Sequence, residues 1–165
     1  MQATNWNRKA LLGSFDKPLR PLLPLLVLLS DLALLGAGAA VVLLATGVAL
    51  KLLGTVLVTA GIVRLFMVGH DACHGSFSGN KKLNAVCGRI AFLPSMTAFS
   101  LWQVGHNTAH HGFNNLKGRD QVWAPLSKVE FDALPRYRQL LERLYRSGFG
   151  WGAYYLIEMW WKKLY

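Results

Sequence analysis

Every histidine in the chain belongs to one of two short clusters, His70 with His74 and then His106 with His110 and His111. Neutral imidazole is the commonest protein ligand for transition metals, and residues four apart on a helix lie one turn above each other on the same face. HDACH at residues 70–74 and HNTAHH at residues 106–111 both contain that step. Each therefore predicts two ring nitrogens facing one way. His106 and His110 should share a face, with His111 turned from them by about 100° to serve a second metal or a bridging arrangement. Asp71 and Asn107 each follow the first ring of a cluster, where a polar group can fix the tautomer of a liganding imidazole. HExxH is absent, which excludes the zinc-protease pattern, and no cysteine pair has zinc-finger spacing. Five imidazoles exceed what one tetrahedral zinc needs. Next to strongly apolar sequence, they favour two irons and oxygen chemistry on a substrate that enters from a bilayer.

The elements that must carry these residues follow from hydropathy. With 53% hydrophobic and only 16% charged residues, and a nearly charge-free stretch from Leu19 to Val68, the composition is that of an integral membrane protein. Roughly 20 apolar residues cross the hydrocarbon core, so this stretch holds two spans rather than one. We place them at Pro24–Ala45 and Ala49–Gly69, joined by a turn at Thr46, Gly47 and Val48, with Lys51 snorkelling at the far interface. Lys and Arg are dense before the first span and after the second, so the positive-inside rule puts both ends of the hairpin, and with them the histidines, on the cytoplasmic side. The fold class is all-α integral membrane, a transmembrane helical hairpin plus cytoplasmic and interfacial helices. Its parts are a basic cytoplasmic N-terminus (1–20), the hairpin (21–69) and a histidine-bearing region (70–165). Asp31 and Arg64 stand equally far along the chain from the turn, hence at equal depth, where they can pair.

Leu83–Leu101 is apolar too, but it contains Arg89 and Pro94. A crossing there would put the two clusters on opposite faces of the membrane, so two short surface helices broken at Pro94 are expected instead. Beyond a polar stretch, Leu134, Tyr137, Leu140, Leu141 and Leu144 recur at helical spacing opposite Arg138, Glu142 and Arg146, predicting an amphipathic helix over Leu134–Arg146. The closing WGAYYLIEMWWKKLY has the Trp and Tyr content of an interfacial helix. The net charge of +10 is spread along the chain without a nucleic-acid motif, which makes anionic headgroups the counter-charge and excludes a nucleic-acid partner. Cys73 and Cys87 fall on the reducing side and predict no disulfide.

Three segments, GHDACHGSF at residues 69–77, GHNTAHHGFNN at 105–115 and GRDQVWAPLS at 118–127, resemble the membrane fatty acid desaturase family, in particular its acyl-lipid omega-6 (delta-12) type. The resemblance implies that His70, His74, His106, His110 and His111 ligate two non-haem iron ions. With O2 as co-substrate, such a centre removes two hydrogens from an acyl chain and leaves a cis double bond. It implies a membrane lipid or fatty acyl substrate, held in an apolar tunnel for which Phe92, Met96, Phe99 and Trp102 are candidates. It also implies an electron donor, ferredoxin or a small b-type cytochrome, for which Lys117, Arg119, Arg136 and Arg138 offer a basic surface. A third histidine box of HxxHH type, which the family carries near its C-terminus, is not found before Tyr165. The expectation is an N-terminal fragment that is inactive alone. Hydroxylases and ketolases share such boxes, and a non-catalytic metal-binding remnant is the alternative outside enzymes.

Overall fold

The computed structural model describes residues 22–120, 122 and 125–162, and the basic segment 1–20 lies outside them. Among these residues every regular element is helical. They fall into two units, one up to Val104 and one from Gly105 onward.

The first unit is built on α1 (Leu23–Leu44) and α2 (Val48–Cys73), which are long and apolar enough to cross a membrane. Pro24 sits in the first turn of α1, where its missing N–H costs nothing. The chain turns at Ala45 and Gly47, both extended, within one residue of the expected boundaries. The helices press backbone to backbone: a Cβ on Gly38 would lie 2.7 Å from the Val58 nitrogen, and one on Gly61 would lie 2.9 Å from the Leu35 Cα. Small residues permit this contact, which replaces the hydrophobic driving force that lipid cannot supply. Arg64 Nε donates to Asp31 Oδ1 at 2.6 Å, as equal depth predicts. Asp31 is buried, while Arg64 is half exposed.

At 26 residues, α2 is about 39 Å long, more than a hydrocarbon core of about 30 Å requires. Its last turn carries His70, and His74 caps it. α3 (Lys81–Phe92) starts at Asn80, whose side chain accepts from the Lys82 and Leu83 N–H groups. It ends in a 3₁₀ turn at Leu93–Ser95 containing Pro94, followed by Met96 in the left-handed region. Beyond that corner α4 (Phe99–Val104) begins, and the chain has turned through 105°. Twelve residues make α3 only about 18 Å long, and the bent pair that breaks near Pro94 is long and apolar enough to form a broken span or a re-entrant loop.

Two apolar clusters hold this unit together. Leu28, Leu65, Val68, Cys87 and Ala91 form one, and Ala72, Cys73, Phe92 and Phe99 the other. The Phe92 ring packs against α2 where Gly69 leaves room, since a Cβ there would come within 2.3 Å of it. Both cysteines are buried.

In the second unit a π-helical turn (Gly105–His110) leads into an irregular stretch, then α5 (Lys128–Ala133) and α6 (Arg136–Tyr145). α7 (Trp151–Tyr154) continues as a second π-helical segment, Tyr155–Trp161. Two sequence expectations change here. The amphipathic helix begins at Arg136 rather than Leu134, because Leu134 precedes Pro135 and is held extended at ψ 147°. The stretch read only as polar ends in α5, whose start is a reciprocal cap: the Ser127 hydroxyl accepts from the Glu130 N–H while Glu130 accepts from the Ser127 N–H. Glu158 is enclosed by Arg138, Lys162 and the Tyr145 hydroxyl. Burial and this acceptor push the Tyr145 phenol up to about 12.

Candidate metal centre

His70 occupies the last turn of α2 and His74 caps it. The helix stops there because Gly75 takes φ +72°. Its N–H then donates to the Ala72 carbonyl and the Ser76 N–H to the Asp71 carbonyl, the pairing that closes a helix through a left-handed residue. Gln103 Nε2 donates to the Cys73 carbonyl as well. On this closed turn the two rings meet at the expected one-turn spacing, with Nε2 atoms 3.3 Å apart. Asp71 Oδ1 lies 3.2 Å from His70 Nδ1. A carboxylate only accepts, so that contact puts the proton on Nδ1 and leaves Nε2 with its lone pair.

The second cluster reaches a similar result by another backbone. His111 N–H donates to the His106 carbonyl, an i to i+5 bond. That wider turn brings the His111 ring nitrogen to His106 as well, with Nε2 atoms 3.1 Å apart. The α-helical assumption that set His111 off by 100° fails for this reason. Single π turns inside α-helices are rare and recur at functional sites. The His110 ring stacks on His106 at 5.3 Å but turns its Nδ1 to Asp120, 3.0 Å from Oδ1 and 3.1 Å from Oδ2.

Asp120 was not singled out by sequence reasoning. No helical spacing joins it to a ring ten positions earlier, and only a loop that doubles back, through Asn115 at φ 62° and Gly118 at φ 80°, does so. Its side chain is fully buried. Desolvation raises its pKa, but the hydrogen bonds from His110 and from the Asn115 and Val122 N–H groups outweigh this and hold it at about 2. Asn107 lies on the π turn, half buried.

The tunnel candidates are placed differently from one another. Phe92 and Phe99 are buried in the apolar core of the first unit, and Trp102 packs edge-on against Phe66 at 5.0 Å. Met96 is 78% exposed at the corner. A cavity of about 390 Å³ beside the hairpin is lined instead by Val27, Asp31, Arg64, Met67 and Phe77, among others.

Whether such rings suit a metal is a matter of donor chemistry and spacing. His70, His74, His106 and His111 each offer a ring nitrogen fit for ligation. Two nitrogens bound at about 2.1 Å and at right angles lie about 3.0 Å apart, close to the separation found in each pair. The chain thus carries two imidazole pairs with the spacing of neighbouring metal ligands, the first of them at the end of a helix able to span a membrane.

Residues 43–165 match the family model described as fatty acid desaturase, and the chain belongs to that family. Among its relatives, an sn-1 oleoyl-lipid 12-desaturase of Arthrospira platensis is 37% identical over 86 residues, 52% of this chain and 24% of the relative. A chloroplastic omega-6 fatty acid desaturase of Glycine max is 35% identical over 80 residues, 48% of this chain and 19% of the relative. An sn-1 acyl-lipid omega-3 desaturase (ferredoxin) of Synechocystis is 36% identical over 77 residues, 47% of this chain and 21% of the relative. The matched part thus spans at most about a quarter of these curated relatives. No solved structure matches the chain.

Proposed function

We propose that the chain supplies iron ligands to a membrane desaturase that uses O2 to place a cis double bond in a fatty acyl chain, of the delta-12 (omega-6) kind. His70, His74, His106, His110 and His111 are the ligands in this reading, and two non-haem irons are the cofactor. When bound, the irons supply the oxidising power that an unactivated C–H bond demands and no amino-acid side chain possesses. The chain's own residues keep a ring nitrogen in the ligating tautomer, through Asp71 at His70. Of the tunnel candidates, Met96 and Trp102 would face the acyl chain, with Phe92 and Phe99 supporting them from the core. The histidines would lie on the cytoplasmic side of a multi-pass protein, within reach of ferredoxin or a b-type cytochrome.

The observation that carries this reading is the spacing of ring nitrogens, 3.3 Å in one pair and 3.1 Å in the other, in a chain of the desaturase family. Mass analysis of lipids from a host expressing the gene tests the reaction. Oleoyl chains that lose two hydrogens support desaturation at the position fixed by fragmentation. A gain of oxygen would instead make the protein a hydroxylase or ketolase, and a protein that binds no iron would be the non-catalytic remnant.

A further inference from the structure

The His110 ring is held by a buried carboxylate. The Asp120 carboxylate presents both oxygens to Nδ1, and each oxygen also takes one backbone N–H at 2.8 Å, Oδ2 from Asn115 and Oδ1 from Val122. Backbone donors do not depend on rotamers, so the Asn115 and Val122 N–H groups fix the carboxylate as a rigid acceptor. With its side chain fully buried, water does not compete for it.

A neutral imidazole has one donor and one acceptor nitrogen. Facing a group that can only accept, His110 must carry its proton on Nδ1, which leaves Nε2 as the lone-pair nitrogen. We propose that Asp120 is the positioning residue for His110, locking its Nε2-ligating tautomer and ring orientation before metal arrives. The inference rests on the reading of His110 as an iron ligand and extends it to a carboxylate outside the histidine boxes. Asp71 makes the single-oxygen version of this contact with its neighbour His70, but it is half exposed and therefore a weaker constraint.

The test is Fe(II) affinity by chelator competition on the full chain in lipid nanodiscs, for wild type, Asp120→Ala, Asp120→Asn, His110→Ala and the Asp120→Ala/His110→Ala pair. Asp120→Ala should weaken iron binding by about 10- to 100-fold. Asp120→Asn, which keeps an acceptor for the Nδ1 proton, should recover part of the loss. In the His110→Ala background, Asp120→Ala should add nothing, whereas a merely structural role would give additive losses. Nitrogen-15 NMR of the metal-free protein gives an independent readout: His110 should be a single Nδ1–H tautomer in wild type and a mixture in Asp120→Ala. Wild-type protein that binds no iron overturns the ligand reading while the NMR still decides the Asp120 contact. Unchanged affinity in Asp120→Ala, additive losses, or an unchanged tautomer overturns the inference. If Asp120→Ala fails to assemble, Asp120→Asn and the wild-type spectrum carry the same test.

Discussion

The two histidine pairs reach nearly the same spacing by unlike routes. His70 and His74 stand on an α-helix that is longer than a membrane needs and is stopped at once by Gly75, so the pair follows from helix length and an i to i+4 step. His106 and His111 stand on a π turn with an i to i+5 step, and the residue between them, His110, is held by a carboxylate returning from a loop. One pair is set by regular geometry; the other needs an irregular turn and a distant partner. The difference teaches that ring spacing alone does not define such a site, since the backbone period decides which rings pair.

Changing the period tests this most strongly. An alanine inserted after Ala72 puts the first two rings five apart on an α-helix, off each other's face, and metal binding at that pair should be lost. Deleting Thr108 is the converse. It should convert the π turn to α, keep the second pair at an i to i+4 step, and move His110 away from Asp120, weakening iron binding by about 10- to 100-fold rather than abolishing it. Iron titration of both variants checks the contrast. Equal losses would break it.

Arg64→Ala leaves Asp31 buried without its cation and should destabilise the hairpin by about 3 kcal/mol, measured by denaturant titration in micelles. Asp31→Ala should cost less, because Arg64 is already half exposed and can reach the interface. A smaller effect belongs to Gly75→Ala, which forces a Cβ into a left-handed residue at a cost of about 1–2 kcal/mol. Fraying of the last turn should follow, seen as faster amide exchange at His74 and Gly75.

The smallest effect is electrostatic and confined to the second unit. The Lys117 ammonium beside Glu130, with the Ser127 N–H and hydroxyl, holds that carboxyl at about 2, below its ordinary 4.5. A depressed carboxylate contributes stability that is present above the unfolded value and disappears as pH falls through the folded one. Protection of the α5 amides, taken relative to the intrinsic exchange rate at each pH, should therefore fall between about pH 4.5 and 2 in wild type, and the fall should be weaker in Glu130→Gln.

The sequence made the hairpin readable because apolar length and flanking charge leave few alternatives, and the Asp31–Arg64 pair followed from depth alone. His70 and His74 were readable for the same reason, being an extension of a regular helix. The His106–His111 pairing was not, because HNTAHH is equally compatible with an α or a π turn and the choice is made by the bond from His111 to His106. Asp120 was hidden by its loop, whose course depends on left-handed backbone at Asn115 and Gly118 rather than on any periodic pattern. The cap at α5 was visible in Ser127-Lys-Val-Glu130 to anyone weighing local signals over the polarity around it.

Iron content tests the central claim most directly. The full chain, reconstituted with Fe(II) without oxygen in nanodiscs and freed of excess metal, should retain iron by elemental analysis. Both the His70→Ala/His74→Ala and the His106→Ala/His111→Ala variants should lose it. Iron absent from wild type, or retained equally in both double variants, would contradict the assignment of these rings as ligands.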